Sequence, residues 1–189
     1  MINSYDWNFL KTELEKFKIL CRIEHAKKLD ELFKPNDKGK FSFKFKKIEE
    51  LSDLDSLKDT QGFYVIFTDC KYSENNCSLE REFISANSEA IKAKAIYRGE
   101  GSKVKQRLIS HLFNTEHKKS DVKQMENCIQ IEKGQKGIDI DGDTYKDFNW
   151  YIAILRLANS TSVIRKTIEN VFDEKYGVPF ASREVKVKK

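Results

Sequence analysis

The longest periodic pattern in the chain lies at its N-terminal end. Apolar residues recur three and four positions apart from Trp7 to Cys21, and the pattern continues through Leu29 to Phe33 before Pro35. This spacing predicts one long helix, either continuous or kinked. We expect its apolar stripe to pack against the rest of the chain, with contact to a second copy as the alternative.

Three strands are predicted further along the chain. The run 62–67 is apolar on both faces, as is typical of a central strand, and 93–98 alternates with the two-residue period of a strand that should pair with it. The aromatic and aliphatic run 148–157 predicts the third strand. Together with the predicted helices, these runs indicate an α/β fold of the α+β kind, with a small, mainly antiparallel three-stranded sheet flanked by helices.

A glycine-containing turn followed by a helix is predicted directly after the second strand. Gly99 and Gly101 permit a tight exit, and apolar residues then recur on one helix face over 104–112. Arg107 and His111 lie four positions apart on the flank of that face, so we expect both side chains to be partly buried and to point the same way.

The rest of the chain divides around this core. Phe41, Phe43 and Phe45 alternate with lysines and predict a short strand, or alternatively an aromatic and basic nucleic-acid platform, and a short helix is expected over 48–57. Two insertions interrupt the domain, at about 68–91, where Leu79 to Ile84 predicts one helical turn, and at about 114–147, where an extra hairpin is expected. The expected units are a helical extension with a short strand (1–56), one domain (57–182) and a basic tail (183–189).

Composition narrows the class of protein without fixing its function. The chain has 189 residues, of which 39% are hydrophobic and 34% are charged, and it contains no apolar run of the ~18 residues that a membrane span needs. The N-terminal residues show no signal-peptide pattern, so we expect a cytoplasmic protein. The four cysteines are scattered, which predicts reduced thiols rather than a disulfide framework or a zinc site. The net charge of +5 favours a polyanionic partner only mildly.

Five residues in this order carry a resemblance to a known family. Tyr97, Arg107 and His111, on a strand, turn and helix, resemble the second half of the GIY-YIG nuclease motif. The upstream run Gly62–Phe67, which contains Tyr64, is similar to the first half. Glu169 lies in the last predicted helix, where the family has a glutamate. The resemblance spans about residues 57–182.

The resemblance implies an activity and a role for each of these residues. It implies metal-dependent endonucleolytic cleavage of DNA, with double-stranded DNA as the expected partner and one Mg²⁺ or Mn²⁺ held by Glu169. Arg107 would grip the non-bridging phosphate oxygens. Tyr64 and Tyr97 would position or deprotonate the nucleophile, and His111 would relay a proton. A homodimer formed through the N-terminal helix is a further expectation.

Some residues depart from the family pattern. Arg98 replaces the usual isoleucine, and Glu100 introduces a negative charge near the expected phosphate, which Lys103 or Lys105 could offset. Ser182 stands where the family has an asparagine. We expect Arg98, Lys103, Lys105 and Ser182 to contact substrate.

Each candidate also has a purely structural interpretation. The two tyrosines could be ordinary sheet residues, Arg107 could form a helix-flank ion pair, His111 could be a satisfied buried histidine, and Glu169 could pair with Arg165. Two rival functions therefore remain open. One is a nucleic-acid-binding module that does not cut, and the other is a protein-interaction domain.

Overall fold

Five strands and four α-helices carry the fold in the computed structural model, within the residues that it describes: 4–33, 45–58, 60–71, 75–85, 87–119, 129, 131 and 137–182. In chain order they are α1 (Ser4–Phe33), β1 (Phe45–Lys47), β2 (Gly62–Thr68), β3 (Glu80–Ile84), β4 (Ala90–Gly101), α2 (Val104–Leu112), α3 (Asn114–Lys119), β5 (Trp150–Arg156) and α4 (Ser162–Tyr176). Short 3₁₀ helices cover Leu51–Leu57 and Phe180–Ser182. None of the described helices offers a stretch long and apolar enough to cross a bilayer.

The sheet confirms the predicted fold class and corrects the predicted strand number. All pairs are antiparallel, in the order β1-β5-β2-β4-β3. The strand β2 is central, as its apolar faces predict, with β4 and β5 as its neighbours. The expectation of three strands is wrong because β1 and β3 extend the sheet at its two edges.

The edge strand β3 replaces the helical turn that was predicted there. Phe83 is buried and its neighbours Glu82 and Ile84 are exposed, which is the alternation of a strand with one covered face. Pairing with Ala90–Lys94 of β4 satisfies the backbone of this segment. The four-residue spacing of Leu79 and Phe83 therefore does not reflect a helix. The predicted hairpin of the second insertion and the basic tail lie largely outside the described residues.

A β-bulge on β4 changes the face of the sheet to which the side chains of this strand point. Ile66 pairs with Tyr97 and Phe67 pairs with Ala95, so Ile96 is an extra residue on β4. We call the side of the sheet covered by α2 the α2 face, and the side covered by α1 and α4 the α4 face. Ala93 and Ala95 lie in the core of the α4 face, whereas Tyr97 lies in the core of the α2 face. The alternation predicted for Ala93, Ala95 and Tyr97 is therefore broken at the bulge.

Among the described residues, helix α1 is buried only toward its C-terminal end. Leu29, Leu32 and Phe33 are buried, and Phe33 makes an edge-to-face contact with Phe172 of α4. The predicted burial of the stripe is wrong for the N-terminal part of the helix. Its large apolar side chains are about half or more exposed; they are Trp7, Phe9, Leu10, Leu14, Phe17, Ile19, Leu20 and Ile23.

Candidate functional site

The two candidate tyrosines lie side by side on the α2 face. Tyr64 on β2 and Tyr97 on β4 stack with their ring centroids 6.1 Å apart, and both are buried. The bulge at Ile96 brings Tyr97 to this face, because uninterrupted alternation would have turned its ring to the face of Ala95. The expected sharing of one face by the two rings is therefore observed.

Glycines make room for the cluster. A Cβ at Gly99 would lie 2.6 Å from Tyr64 Oη and 3.0 Å from Tyr97 Cε1. A Cβ at Gly101 would lie 2.7 Å from the Cδ atom of Arg107. Both glycines belong to β4 rather than to the predicted turn, so what they provide is space for the tyrosine rings and the arginine.

A directed chain of hydrogen bonds links His111 to both tyrosines. The His111 Nδ1 atom accepts from the backbone N–H of Ile129 (3.2 Å), so the proton of the neutral ring sits on Nε2. That Nε2–H donates to Tyr64 Oη at 2.8 Å. Tyr64 is therefore left to donate its own proton to the Tyr97 hydroxyl, with which it is hydrogen-bonded. Tyr97 is the most exposed member of the chain, at 6%.

Burial fixes the protonation state of this cluster. Burial, opposed by the charge of Arg107 and assisted by that of Glu169, raises the pKa of Tyr97 to about 12. Burial also raises the pKa of Tyr64 well above its ordinary value. It lowers the pKa of His111 to about 3, with a contribution from Arg107. At neutral pH the tyrosines are phenols and the histidine is uncharged, so a relay through His111 would use the neutral ring.

Arg107 projects from α2 across β4. Its Nη1 atom donates to the backbone carbonyl of Glu100 at 2.6 Å, and its stem packs over Gly101. Its Nε atom is buried without a hydrogen-bond partner within the described part of the chain. The electrostatic influence of this guanidinium on the pKa of Tyr64 and of Tyr97 shows that its charge lies near both hydroxyls. Arg107 therefore lies near the two tyrosines, as predicted. Its hydrogen-bond partner is the carbonyl oxygen of Glu100 rather than the carboxylate of an ion pair.

Glu169 on α4 lies beside the part of β4 that strand β3 does not pair with. Strand β3 ends its pairing at Lys94, so the described part of β4 beyond it pairs with β2 alone. Glu169 is 5% exposed, and its Oε2 atom accepts from Lys166 at 2.7 Å. Its Oε1 atom lies 3.4 Å from Arg98 Nη1. The alternative pairing of Glu169 with Arg165 is not observed, because Arg165 binds Glu100 at 2.6 Å.

Arg98 is held on α4 by a two-pronged ion pair. Its Nε and Nη2 atoms donate to the two carboxylate oxygens of Asp173 at 2.9 and 2.6 Å. Burial alone would lower the pKa of this guanidinium, but Asp173 and Glu169 raise it above its ordinary value. Arg98 therefore remains charged and lies beside Glu169, where its role as a substrate contact stays a prediction.

The remaining predicted substrate contacts are spread over the surface. Lys105 pairs with Asp55 at 2.7 Å, and Lys103 is exposed just before α2. The backbone of Ser182 belongs to a 3₁₀ helix that packs against β4, while its side chain lies outside the described part. Glu100, expected to disturb phosphate binding, is neutralised by Arg165. The negative charge of Glu100 is therefore balanced by Arg165 of α4 rather than by Lys103 or Lys105.

A divalent cation could bind Glu169 only by displacing one of the cationic side chains that already contact its carboxylate. The described residues contain no group of three or more histidine, cysteine, aspartate and glutamate side chains that could hold a metal. Both oxygens of Glu169 face cations, but Lys166 is 48% exposed and lines a cleft of about 660 Å³ between α1 and α4. The half-exposed Lys166 ammonium can leave Oε2, but a divalent cation would have to replace it, because a buried carboxylate without a cationic partner is costly. Glu169 can then supply one oxygen ligand, while water and substrate phosphate complete the shell.

The sequence did not predict two residues that contact the candidates, namely Asp173 and Lys166. Asp173 lies four residues after Glu169, and Lys166 three before it, so helical spacing places all three on one side of α4. That spacing was the available signal. It could not show that Arg98, on a distant strand, would be bound between the two carboxylates.

Comparisons with known proteins give this chain no relative. A scan against protein-family models, a search of curated proteins and a search of solved structures each found no match. The family resemblance therefore rests on the residues of the chain itself and stays a prediction.

Proposed function

We propose that the protein is a GIY-YIG-like endonuclease that hydrolyses phosphodiester bonds in double-stranded DNA with the help of one Mg²⁺ or Mn²⁺ bound together with the substrate. The observation that supports it most strongly is convergence. Tyr64, Tyr97, Arg107 and His111 meet in one buried cluster, with Glu169 close enough to raise the pKa of Tyr97. These residues come from four different elements, β2, β4, α2 and α4.

The geometry divides the chemistry among the residues. The Tyr97 hydroxyl, the most exposed member of the chain that runs from His111 through Tyr64, would orient the attacking water or a phosphate oxygen. Raised pKa values favour such positioning over removal of a proton by either tyrosine. Arg107 would bind the non-bridging oxygens, where charge develops in the transition state. A divalent cation on Glu169 would supply Lewis acidity toward the phosphate.

One observation favours a second candidate, a DNA-binding module that does not cut. Glu169 already has cationic partners at both oxygens, Lys166 at 2.7 Å and Arg98 at 3.4 Å. If both contacts persist on DNA, the carboxylate has no oxygen to offer a metal. The same three side chains would then stabilise α4 rather than assist cleavage.

The deciding experiment is incubation of the full chain with supercoiled plasmid and Mg²⁺ or Mn²⁺. We expect nicked or linear products that disappear in Glu169→Gln, because the neutral amide is a poor metal ligand. DNA affinity should hold or rise in that variant, since a negative charge near the phosphates is removed. Glu80→Gln, an exposed change on β3, is the matched control and should cut normally.

Two results would count against the nuclease. Equal cleavage by Glu169→Gln and the unmodified chain would make the carboxylate a structural residue. Binding of DNA with no cleavage under several divalent metals, on single-stranded and double-stranded substrates, would support the binding module instead.

A further inference from the structure

An apolar stripe on α1 is uncovered in the described part of the chain. We call the stripe the α1 seam; it consists of Trp7, Leu10, Leu14, Phe17 and Cys21. The exposed fractions of its four large side chains run from 49% at Phe17 to 64% at Trp7. So many large apolar groups on one face indicate an interaction surface.

The α1 seam continues a face that the chain uses for its own folding. At 100° per residue, His25, Leu29 and Leu32 follow the same side of the helix. These three residues are buried against the domain, with exposed fractions of 4%, 0% and 1%. The helix is thus anchored by its C-terminal part and presents its N-terminal part as an ordered, preformed apolar surface.

The spacing of the seam specifies what fits it. Steps of three, four, three and four residues from Trp7 to Cys21 are those of a two-helix coiled coil, in which each knob enters a hole on a partner with the same period. We propose that the α1 seam packs against the α1 seam of a second copy of this chain, in a parallel and in-register arrangement.

Charges beside the seam select this arrangement. In a parallel pair, Glu13 of each chain faces Lys18 of the other, so opposite charges meet twice. In an antiparallel pair, Lys11 would face Lys18 and like charges would meet. In the single chain Glu13 pairs with Lys16 and Lys18 pairs with Glu15, and these exposed contacts exchange readily.

The available area suits a stable dimer. Large aromatic and aliphatic side chains that are half exposed each offer on the order of 100 Å² of surface. The seam, together with the stems of the flanking residues Lys11, Lys18 and Leu20, therefore supplies roughly 800 Å² per chain, which is the size of an ordinary specific interface.

The first test measures mass in solution. Analytical ultracentrifugation of the full chain should show a dimer at micromolar concentration. Leu14→Asp places a charge in the seam and should raise the dimer dissociation constant by about a hundredfold or more. Ile84→Asp is the matched control, because Ile84 is 67% exposed on β3, away from α1, and this variant should stay dimeric. A monomer at ~100 µM, or a dimer that Leu14→Asp leaves intact, overturns the proposal.

The second test fixes the orientation. A parallel, in-register pair places Cys21 opposite Cys21 of the second copy, so mild oxidation should give a reducible covalent dimer that Cys21→Ser abolishes. Lys18→Glu should weaken association by about tenfold, and the double exchange Glu13→Lys with Lys18→Glu should restore it. A dimer without the Cys21 crosslink, or one that Lys18→Glu strengthens, would overturn the parallel arrangement.

Discussion

The two faces of the sheet are buried to the same degree and are built from different chemistry. On the α4 face, β2 contributes Phe63, Val65 and Phe67, and ring contacts join Phe63 to Phe172 at 5.6 Å. On the α2 face, the intervening residue Tyr64 joins a hydrogen-bonded cluster that includes His111. One strand thus contributes apolar packing on one side and polar groups on the other.

The difference shows where precise placement is required. Phenylalanine rings gain from burial in many arrangements, because dispersion and the hydrophobic effect depend little on direction. A buried phenol or imidazole is costly unless each donor finds an acceptor. The α2 face meets this requirement with a bulge at Ile96, clearance at Gly99 and a backbone donor at Ile129. Such devices are expected around a reaction centre rather than in a plain core.

Truncation on the α4 face should produce the largest loss of stability. Phe172 is fully buried against Phe33 and Phe63, so Phe172→Ala should lower the free energy of unfolding by about 3–5 kcal/mol. Tyr64→Phe keeps the ring and removes the hydroxyl that accepts from His111 and donates to Tyr97, so it should cost about 1–3 kcal/mol. Urea denaturation followed by circular dichroism measures both.

Cleavage should respond in the opposite order. At a temperature where both variants are folded, Phe172→Ala should cut DNA at a normal rate per folded molecule, and Tyr64→Phe should be at least about a hundredfold slower. If Tyr64→Phe costs as much stability as Phe172→Ala and leaves cleavage intact, the α2 face is a core of the same kind as the α4 face.

The next effect concerns the cation of the α2 face. Arg107→Lys keeps the charge and loses the two-pronged donor geometry, so DNA affinity should be nearly unchanged while cleavage falls about a hundredfold, or roughly 2.7 kcal/mol. Arg107→Ala should also lose affinity and reduce the salt dependence by about one phosphate contact. Lys92→Ala is the control, since Lys92 is exposed on the part of β4 that pairs with β3. Parallel, modest losses of binding with Arg107→Lys, and no cleavage by the unmodified chain, would favour the binding module.

A third effect should appear as acid sensitivity. Burial lowers the pKa of His111 to about 3, so between pH ~6.5 and about 3 the unfolded chain binds a proton that the folded chain refuses. Stability should therefore fall as the pH falls through this window, by up to about 1.4 kcal/mol per pH unit from this group, and be fully present above it. Urea denaturation at a series of pH values should show a shallower acid slope for His111→Gln than for the unmodified chain. Identical slopes would mean that His111 is protonated in the fold.

Much of the α4 face could be predicted from the sequence, because its rules are periodic. The double-sided apolar run of β2 predicted a central strand, and β2 is central, with Phe63, Val65 and Phe67 in the core of the α4 face. Prediction failed where a distant partner decides the local structure. The segment Glu80–Ile84 is a strand because it pairs with the edge of β4. The spacing of apolar residues within the segment gives no sign of this pairing.

The sequence predicted which residues form the candidate site, but not the contacts that position them. The ordered motif nominated Tyr64, Tyr97 and Arg107, which do lie together. Their shared face depends on the extra residue Ile96, and a bulge has no signature in a simple alternation. Likewise, the binding of Arg98 between Asp173 and Glu169 joins a strand to a helix about 70 residues later, which local spacing cannot show.

The smallest expected effect probes Glu169 at the edge between the two faces. Lys166 donates to Glu169 Oε2 at 2.7 Å from a half-exposed position, so Lys166→Met should free that oxygen, while Arg98 remains as a cationic neighbour of the buried carboxylate. If the carboxylate serves a metal that arrives with DNA, the Mn²⁺ concentration for half-maximal cleavage should fall severalfold, since no cation has to be displaced. Mn²⁺ binding to the complex with DNA, followed by electron paramagnetic resonance, should tighten in the same proportion. Lys175→Met on the same helix removes an ion pair with the exposed Asp30 and should alter neither quantity. If Lys166→Met leaves the metal requirement unchanged, Glu169 binds no metal through Oε2. The contacts of Glu169 with Lys166 and Arg98 would then be structural, like the packing on the α4 face.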